Sequence, residues 1–432
     1  MPDLSTLLIQ VLVILVVARL VGWLFQKIHQ PQVMGEMVAG ILLGPSLLGW
    51  LFPGVSTALF PPASLGFLNS LSQVGLLFFM FLVGLELNPE NLHGRRHAAV
   101  LTSHVSIILP FLLGTLTALY LYPRLSDDRV KFVNFALFLG TAMSVTAFPV
   151  LARILTERKL LRTQIGAVAI ACAAVDDITA WCLLAGVVLL VRASANITPL
   201  WITLFGSAAY ILAMLLIVRR VLSKLESAYQ NRGRITKNLM ALILVLIFVS
   251  AWVTEHLGIH ALFGTFLMGV IMPKHKDFVR ALSDKLEDIT VVLLLPLFFA
   301  FTGLRTSIGL LTGIEMWFYC ALIIAVAIAG KFGGATISAR LAGMSWREAG
   351  AIGVLMNTRG LMELVILNIG LEIGVISPAV FAMMVLMALI TTFMTTPLLE
   401  LIYPARLRHR DASSPVVARA ASGTLRSAPL FR

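Results

Sequence analysis

The sequence predicts an all-α polytopic membrane protein with about 13 transmembrane helices, and three observations carry that prediction. Of the 432 residues 59% are hydrophobic and only 12% are charged, where an ordinary soluble protein carries about 25% charged residues. The apolar residues gather into runs of about 20, the length a helix needs to cross roughly 30 Å of hydrocarbon. The bases are shared unevenly between the connecting segments: about 25 of the 33 Lys and Arg fall in one alternating set and about 5 in the other.

The first run, Leu4–Phe25, has no basic leader and no small-residue cleavage site, so it reads as a retained helix. Gln32–Trp50, Gly66–Leu87, His97–Tyr122, Phe132–Leu155 and Leu161–Val191 follow. The next are Leu200–Leu222, Asn238–Glu255, Ala261–Met272 and Asp288–Leu304, and the last are Met316–Ala339, Glu348–Leu371 and Pro378–Tyr403. Lys274–Glu287 is short and mixed in charge, which predicts an interfacial helix. Beyond Pro404 the chain turns to Arg, Ala, Ser and Pro without periodicity, which predicts a disordered tail. The base-rich segments belong on the cytoplasmic side, with the N-terminus outside and the C-terminus inside. The net charge of +12 is therefore a topology signal and not a nucleic-acid site. Cys172, Cys182 and Cys320 all lie in apolar helices without a pairing pattern, as reduced, packed cysteines do.

The polar residues inside the spans carry the functional reading. Asp176 and Asp177 are adjacent, and the nearest charges along the chain, Arg162 and Arg192, are each roughly 20 Å away on a helix. A charge at that depth costs at least about 2.5 kcal/mol, so it marks a functional site by default. Neighbouring helical residues point about 100° apart, so one carboxylate can pair with a base while the other faces a cavity. A desolvated carboxylate is one for which protons and metal ions compete. Lys331 is the obvious intramembrane partner: a Lys–Asp pair can break when a cation arrives, and the lysine can then release a proton. The alternative is a lysine that only neutralises an aspartate so that the chain folds.

Thirteen spans divide as six, one and six, the arithmetic of an inverted repeat of two six-helix halves. The fifth span of each half has a polar interruption. One holds Thr141, Ser144, Thr146 and Pro149; the other holds Asn357, Thr358, Arg359, Gly360 and Glu363. Pro149 lacks an N–H and Gly360 weakens a helix, so both spans are predicted to break and expose half-helix ends at mid-depth. Thr141, Ser144 and Thr146 are possible oxygen ligands, although such hydroxyls also bond back to their own helix. Arg359 and Glu363, four apart, are read either as a local ion pair or with Arg359 offsetting the negative half-helix ends.

Other residues are read more plainly. Glu36 and Glu86 lie near span ends, wetted or paired; His104 is expected as a hydrogen-bonded core histidine. His256 and His260 have zinc-like spacing but no third ligand. Gly44-Pro45 and Gly303 read as packing and kinking features. No GxxxxGK[ST] or GxGxxG occurs, so neither nucleotide nor cofactor is expected. Enzymatic chemistry is not expected either: an intramembrane aspartyl protease needs carboxylates converging from separate helices, and no GxGD is present.

Several of these residues form a pattern. Gln30-Pro31 with Gly35-Glu36, leading to Gly40, Gly44-Pro45 and Gly49, resembles the first-repeat motif of the monovalent cation:proton antiporter-2 family. Phe81 to Glu86 is similar to its third-span signature. Ser144 to Pro149 with Arg153, Lys159, Asp176-Asp177, and Met356 to Glu363 with Asn368 and Gly370 resemble the branch of plant cation/H+ exchangers and bacterial relatives. The likeness runs from about Leu4 to Tyr403. It implies a homodimer with a scaffold and a mobile core containing two crossed, broken helices. It implies scaffold helices in residues 1–96 and 237–314, core helices in 97–192 and 315–403, a linking helix and loop in 193–236, and the tail in 404–432. It implies that Asp177 carries the cation or proton, that Asp176 partners Lys331, and that an Asp–Asp pair goes with electrogenic exchange. The expected protein is a secondary transporter of a bacterial inner membrane that exchanges Na+ or K+ for H+ by elevator-like alternating access; a gated K+ efflux channel on the same scaffold is the alternative.

Overall fold

The computed structural model describes residues 4–86, 96–127, 129–158, 160, 163–194, 200–223, 229, 233–258 and 260–404. The expected tail, from residue 405 onward, lies outside them. The described residues are helical throughout, with no strand. Among the described residues ten helices are long and apolar enough to cross a bilayer, and the bent pair Trp346–Met356 and Leu361–Glu372 makes an eleventh. The other two expected spans are covered by shorter apolar helices, Ala261–Ile271 and Phe132–Ser144, the latter followed after a break by Phe148–Glu157.

One expected element changes character. The segment read as an interfacial helix is helical over Lys276–Ile289, but it runs through a π turn, Thr290–Leu294, into Leu295–Leu304. The π turn lies just before Pro296, whose missing N–H a regular helix would leave as a defect, and it lets the helix continue. The mixed-charge stretch is therefore continuous with the helix of the following span.

The chain divides into two compact units. One comprises residues 1–21, 36–90 and 184–306. Its helices cross at glycines: a Cβ on Gly303 would lie 2.0 Å from the Gly40 carbonyl carbon, and one on Gly84 would lie 2.2 Å from the Phe266 carbonyl oxygen. Gly44 also abuts Gly303, with its Cβ position 2.5 Å from the Gly303 oxygen. These glycines do packing work, as membrane helices use small residues where backbones must touch. Lys274 Nζ donates to the carbonyls of Gly84, Leu85 and Gly269 at 2.9, 2.8 and 3.1 Å, satisfying the C-terminal ends of two helices at once. Gly303→Ala is expected to destabilise the protein by about 1–3 kcal/mol, read as a fall in thermal midpoint in detergent. Gly54→Ala, where nothing lies within 4 Å of the new Cβ, should not produce that fall.

The second unit comprises residues 22–35, 91–183 and 307–432. It holds Arg96–Leu125, both broken pairs, most of Gln164–Ser194, the helix Gly313–Leu341 and the final helix Pro378–Ile402. Its apolar core includes Leu151, Ala169, Ala173, Ala335, Ile352 and Leu355, all fully buried. Gly330 allows Gly313–Leu341 to lie against Pro110, whose Cα would be 2.8 Å from a Cβ at that glycine. This contact fixes the neighbourhood of the next residue, Lys331.

Candidate functional site

Two helix breaks make the site. The first is Val145–Ala147, in extended conformation between Phe132–Ser144 and Phe148–Glu157. Pro149 falls in the first turn of the second half-helix, where its missing N–H costs nothing, so the break lies upstream of the proline. The second is Asn357–Gly360, where the two half-helices meet at 42°. The breaks touch: the Ala147 N–H donates to the Thr358 carbonyl at 3.0 Å.

A half-helix ending inside the protein leaves carbonyls without partners and the negative end of its dipole exposed. Two buried bases answer that need at Phe132–Ser144. Arg359 donates to the carbonyls of Ala142 at 3.0 Å and Met143 at 2.6 Å, and Lys331 donates to that of Ser144. Arg359 also pairs with Glu363 at 3.2 Å, so both sequence readings of this arginine hold together. Thr392 on the final helix clamps its backbone, accepting from the Arg359 N–H at 2.8 Å and donating to the Arg359 carbonyl at 2.7 Å.

Lys331 lies in a π turn, Ala329–Gly333, fully buried. Its ammonium is 2.7 Å from Asp176 Oδ2 and 3.0 Å from the Ser106 carbonyl. Asp176 also accepts from Ser103 Oγ at 2.6 Å and from Thr146 Oγ1 at 2.8 Å. The Ser106 hydroxyl lies 3.2 and 3.4 Å from its two oxygens. Thr146 is also 3.0 Å from the Met356 carbonyl and shares its single proton between the two acceptors.

Asp177 is different. It is fully buried, and neither oxygen has a hydrogen-bond partner. The backbone N–H of Phe148, at the start of a half-helix, directs its field at the carboxylate but falls outside hydrogen-bond geometry. At the two breaks, Lys331 pairs with Asp176 and Arg359 with Glu363, and among the described residues Asp177 has no base. A monovalent cation or a proton at Asp177 would complete the neutralisation.

The remaining predicted residues sort as follows. Thr141 and Ser144 donate back to their own helix, to the Leu137 and Thr141 carbonyls, and do not reach the acids. Asn357 and Glu363 are buried, each with one oxygen unpartnered, as is the Thr358 hydroxyl. His104 is exposed on Arg96–Leu125, which corrects its reading as a core histidine. Glu36 is buried, which removes the wetted alternative; the Glu86 side chain lies outside the described residues. His260 and Glu255 accept from the Leu262 and Ala261 amides at the start of Ala261–Ile271, and His256 meets the Trp252 carbonyl. Ser103, Ser106 and Thr392 escape a reading of the sequence: buried serines and threonines are common in helices, and only the packing says which acid or backbone they meet.

Residues 13–401 match the family model described as sodium/hydrogen exchanger, transmembrane. The chain belongs to this family. Among relatives of this exchanger-family chain, it is 46% identical over 407 residues to the Na(+)/H(+) antiporter NhaS4 of Synechocystis, spanning 93% of this chain and 99% of that one. It is 41% identical to cation/H(+) antiporter 17 of Arabidopsis thaliana and 35% identical to K(+)/H(+) antiporter 1 of Saccharomyces cerevisiae, and spans about half the length of each. The sodium proton antiporter MjNhaP1 of Methanocaldococcus jannaschii shares the fold, with a TM-score of 0.66 at 14% identity over 95% of this chain and all of that one.

In this family member Arg359 works as a fork, with two nitrogens on three acceptors. Lysine has one compact ammonium and cannot reproduce it. Arg359→Lys is expected to lower stability by about 1–2 kcal/mol through the lost charged hydrogen bonds. Thermal unfolding in detergent checks this; an unchanged midpoint would show that the fork is dispensable.

Proposed function

We propose that this multi-pass membrane protein is an antiporter that exchanges Na+ or K+ for protons, with Asp177 as the group at which the two compete. One observation carries the reading: a fully buried carboxylate without a partner, beside one that accepts from a lysine and two hydroxyls, where two broken helices meet. An unpaired buried charge is costly enough that an ion or a proton is needed there. Cation or proton binds in turn, and Asp177 reaches each side of the membrane alternately, because a buried acid with both sides open would leak.

The unit of residues 22–35, 91–183 and 307–432 is proposed as the moving core, and the other unit as the scaffold. Their division into separate compact bodies, with every site residue in the former, supports an elevator-like motion. The cytoplasmic face is assigned to the base-rich loops of a bacterial inner membrane, with the N-terminus outside. Electrogenic exchange follows if Lys331 releases a second proton when its pair with Asp176 opens. The membrane potential then acts with about 2.3 kcal/mol per net charge per 100 mV. The test is proton flux driven by Na+ or K+ gradients in proteoliposomes, with and without a clamped potential. Cation flux that needs no proton counterflow would overturn the antiport reading.

A further inference from the structure

Asp176 and Asp177 are neighbours in sequence and equally buried, yet one carboxylate accepts from three close donors and the other from none. A carboxylate offers about four lone-pair sites. On Asp176 three of them are taken, by Ser103 Oγ at 2.6 Å on Oδ1, and by Lys331 Nζ at 2.7 Å and Thr146 Oγ1 at 2.8 Å on Oδ2. The Ser106 hydroxyl stands over both oxygens at 3.4 and 3.2 Å and also donates to the Ser103 carbonyl at 2.9 Å. Thr146 and Lys331 both act on Oδ2. Oδ1 has Ser103 as its close donor, with only the longer Ser106 contact beside it.

Both serines come from one helix, Arg96–Leu125, three residues apart and so on one face. Both are fully buried. The Ser106 carbonyl accepts from Lys331 at 3.0 Å, so one turn of this helix holds both members of the ion pair. Many buried helical hydroxyls bond back to their own backbone. Ser103 instead donates to the acid.

We propose that Ser103, assisted by Ser106, is a positioning residue that reserves Asp176 for Lys331 and so assigns the transported cation to Asp177 alone. This rests on the antiport reading of Asp177. A cation in a dry site takes whatever oxygens are free. The three close donors on Asp176 weaken it as a ligand, so the ion is held by one carboxylate and can leave when a proton arrives. Without Ser103, Oδ1 loses its close donor inside the protein and becomes a second charged ligand. The ion then binds more tightly and leaves more slowly.

The test uses the full chain, purified and monodisperse, with Na+ and K+ binding measured by calorimetry and exchange measured in liposomes. Ser103→Ala is expected to tighten cation binding and lower KM by about threefold or more, with a lower maximal rate. Ser103→Thr keeps the hydroxyl and should return KM to the wild-type value. Ser106→Ala, which removes the longer contact, should shift KM the same way by less, and it carries the test if Ser103→Ala does not fold. A merely structural serine would lower the amount of folded protein and leave KM alone. Unchanged or raised KM in the alanine variants overturns the proposal. Binding and exchange that are indifferent to Asp177→Asn would instead defeat the assignment of the ion site to Asp177, on which this proposal rests.

Discussion

Asp177→Asn is expected to abolish cation-coupled proton exchange while leaving the purified protein as stable as the wild type, or more so. The two halves of that expectation come from the same geometry. Among the described residues Asp177 makes no hydrogen bond and pairs with no base, so its replacement by an isosteric amide breaks no bond that holds the fold. A buried charge without a partner is a cost to the folded state, and an amide of nearly the same shape avoids it. Stability should therefore stay within about 1 kcal/mol of wild type or rise. Transport should fall by about 100-fold or more, the consequence of losing roughly 2.8 kcal/mol of ion stabilisation. Thermal unfolding in detergent and flux in liposomes measure the two separately. Residual exchange near wild-type rates would remove Asp177 from the mechanism. A collapse of stability would mean that its carboxylate is part of the scaffolding.

The contrast between the legible and hidden parts of this site is physical. Asp176, Asp177, Lys331, Arg359 and Glu363 stand out in the sequence because charge is scarce in apolar spans and expensive there. The breaks were legible too, from Pro149 and Gly360, but their exact position was not. Pro149 is tolerated in a first helical turn, so the chain opens at Val145–Ala147 instead. Which acid Lys331 meets depends on how three helices stack, and adjacent aspartates differ only in the direction they face. The residues that decide it, Ser103 and Ser106, are silent in sequence because a hydroxyl in a helix has its own backbone as a ready partner. His104 sits between them, one helical step away and exposed. A span with little amphipathic contrast gives no warning of which side meets neighbours. The mixed charges of Lys274–Glu287 hid a helix that simply continues, because a π turn is not announced by composition.

Lys331→Ala should do the opposite of Asp177→Asn and damage the fold first. The lysine bonds Asp176 and the carbonyls of Ser106 and Ser144, which lie on three separate helices. Its loss leaves an uncompensated carboxylate in the interior together with two carbonyls deprived of their charged donor. Breaking a buried pair from one side costs about 3–5 kcal/mol, so the thermal midpoint should drop sharply. Removing Asp176 as well relieves the uncompensated charge. Lys331→Met with Asp176→Asn should therefore recover much of the loss, since replacing both members of a buried pair is often neutral. A double variant no more stable than Lys331→Ala would mean that the carbonyl contacts, and not the ion pair, hold the three helices together. The same double variant isolates the transport role. It keeps Asp177, so exchange should persist, and with no lysine to release a second proton, one cation against one proton moves no net charge. Flux that becomes insensitive to a clamped potential assigns the extra proton to Lys331. Flux that stays electrogenic in a folded double variant shows that the lysine is an architectural base, and that the net charge crosses elsewhere.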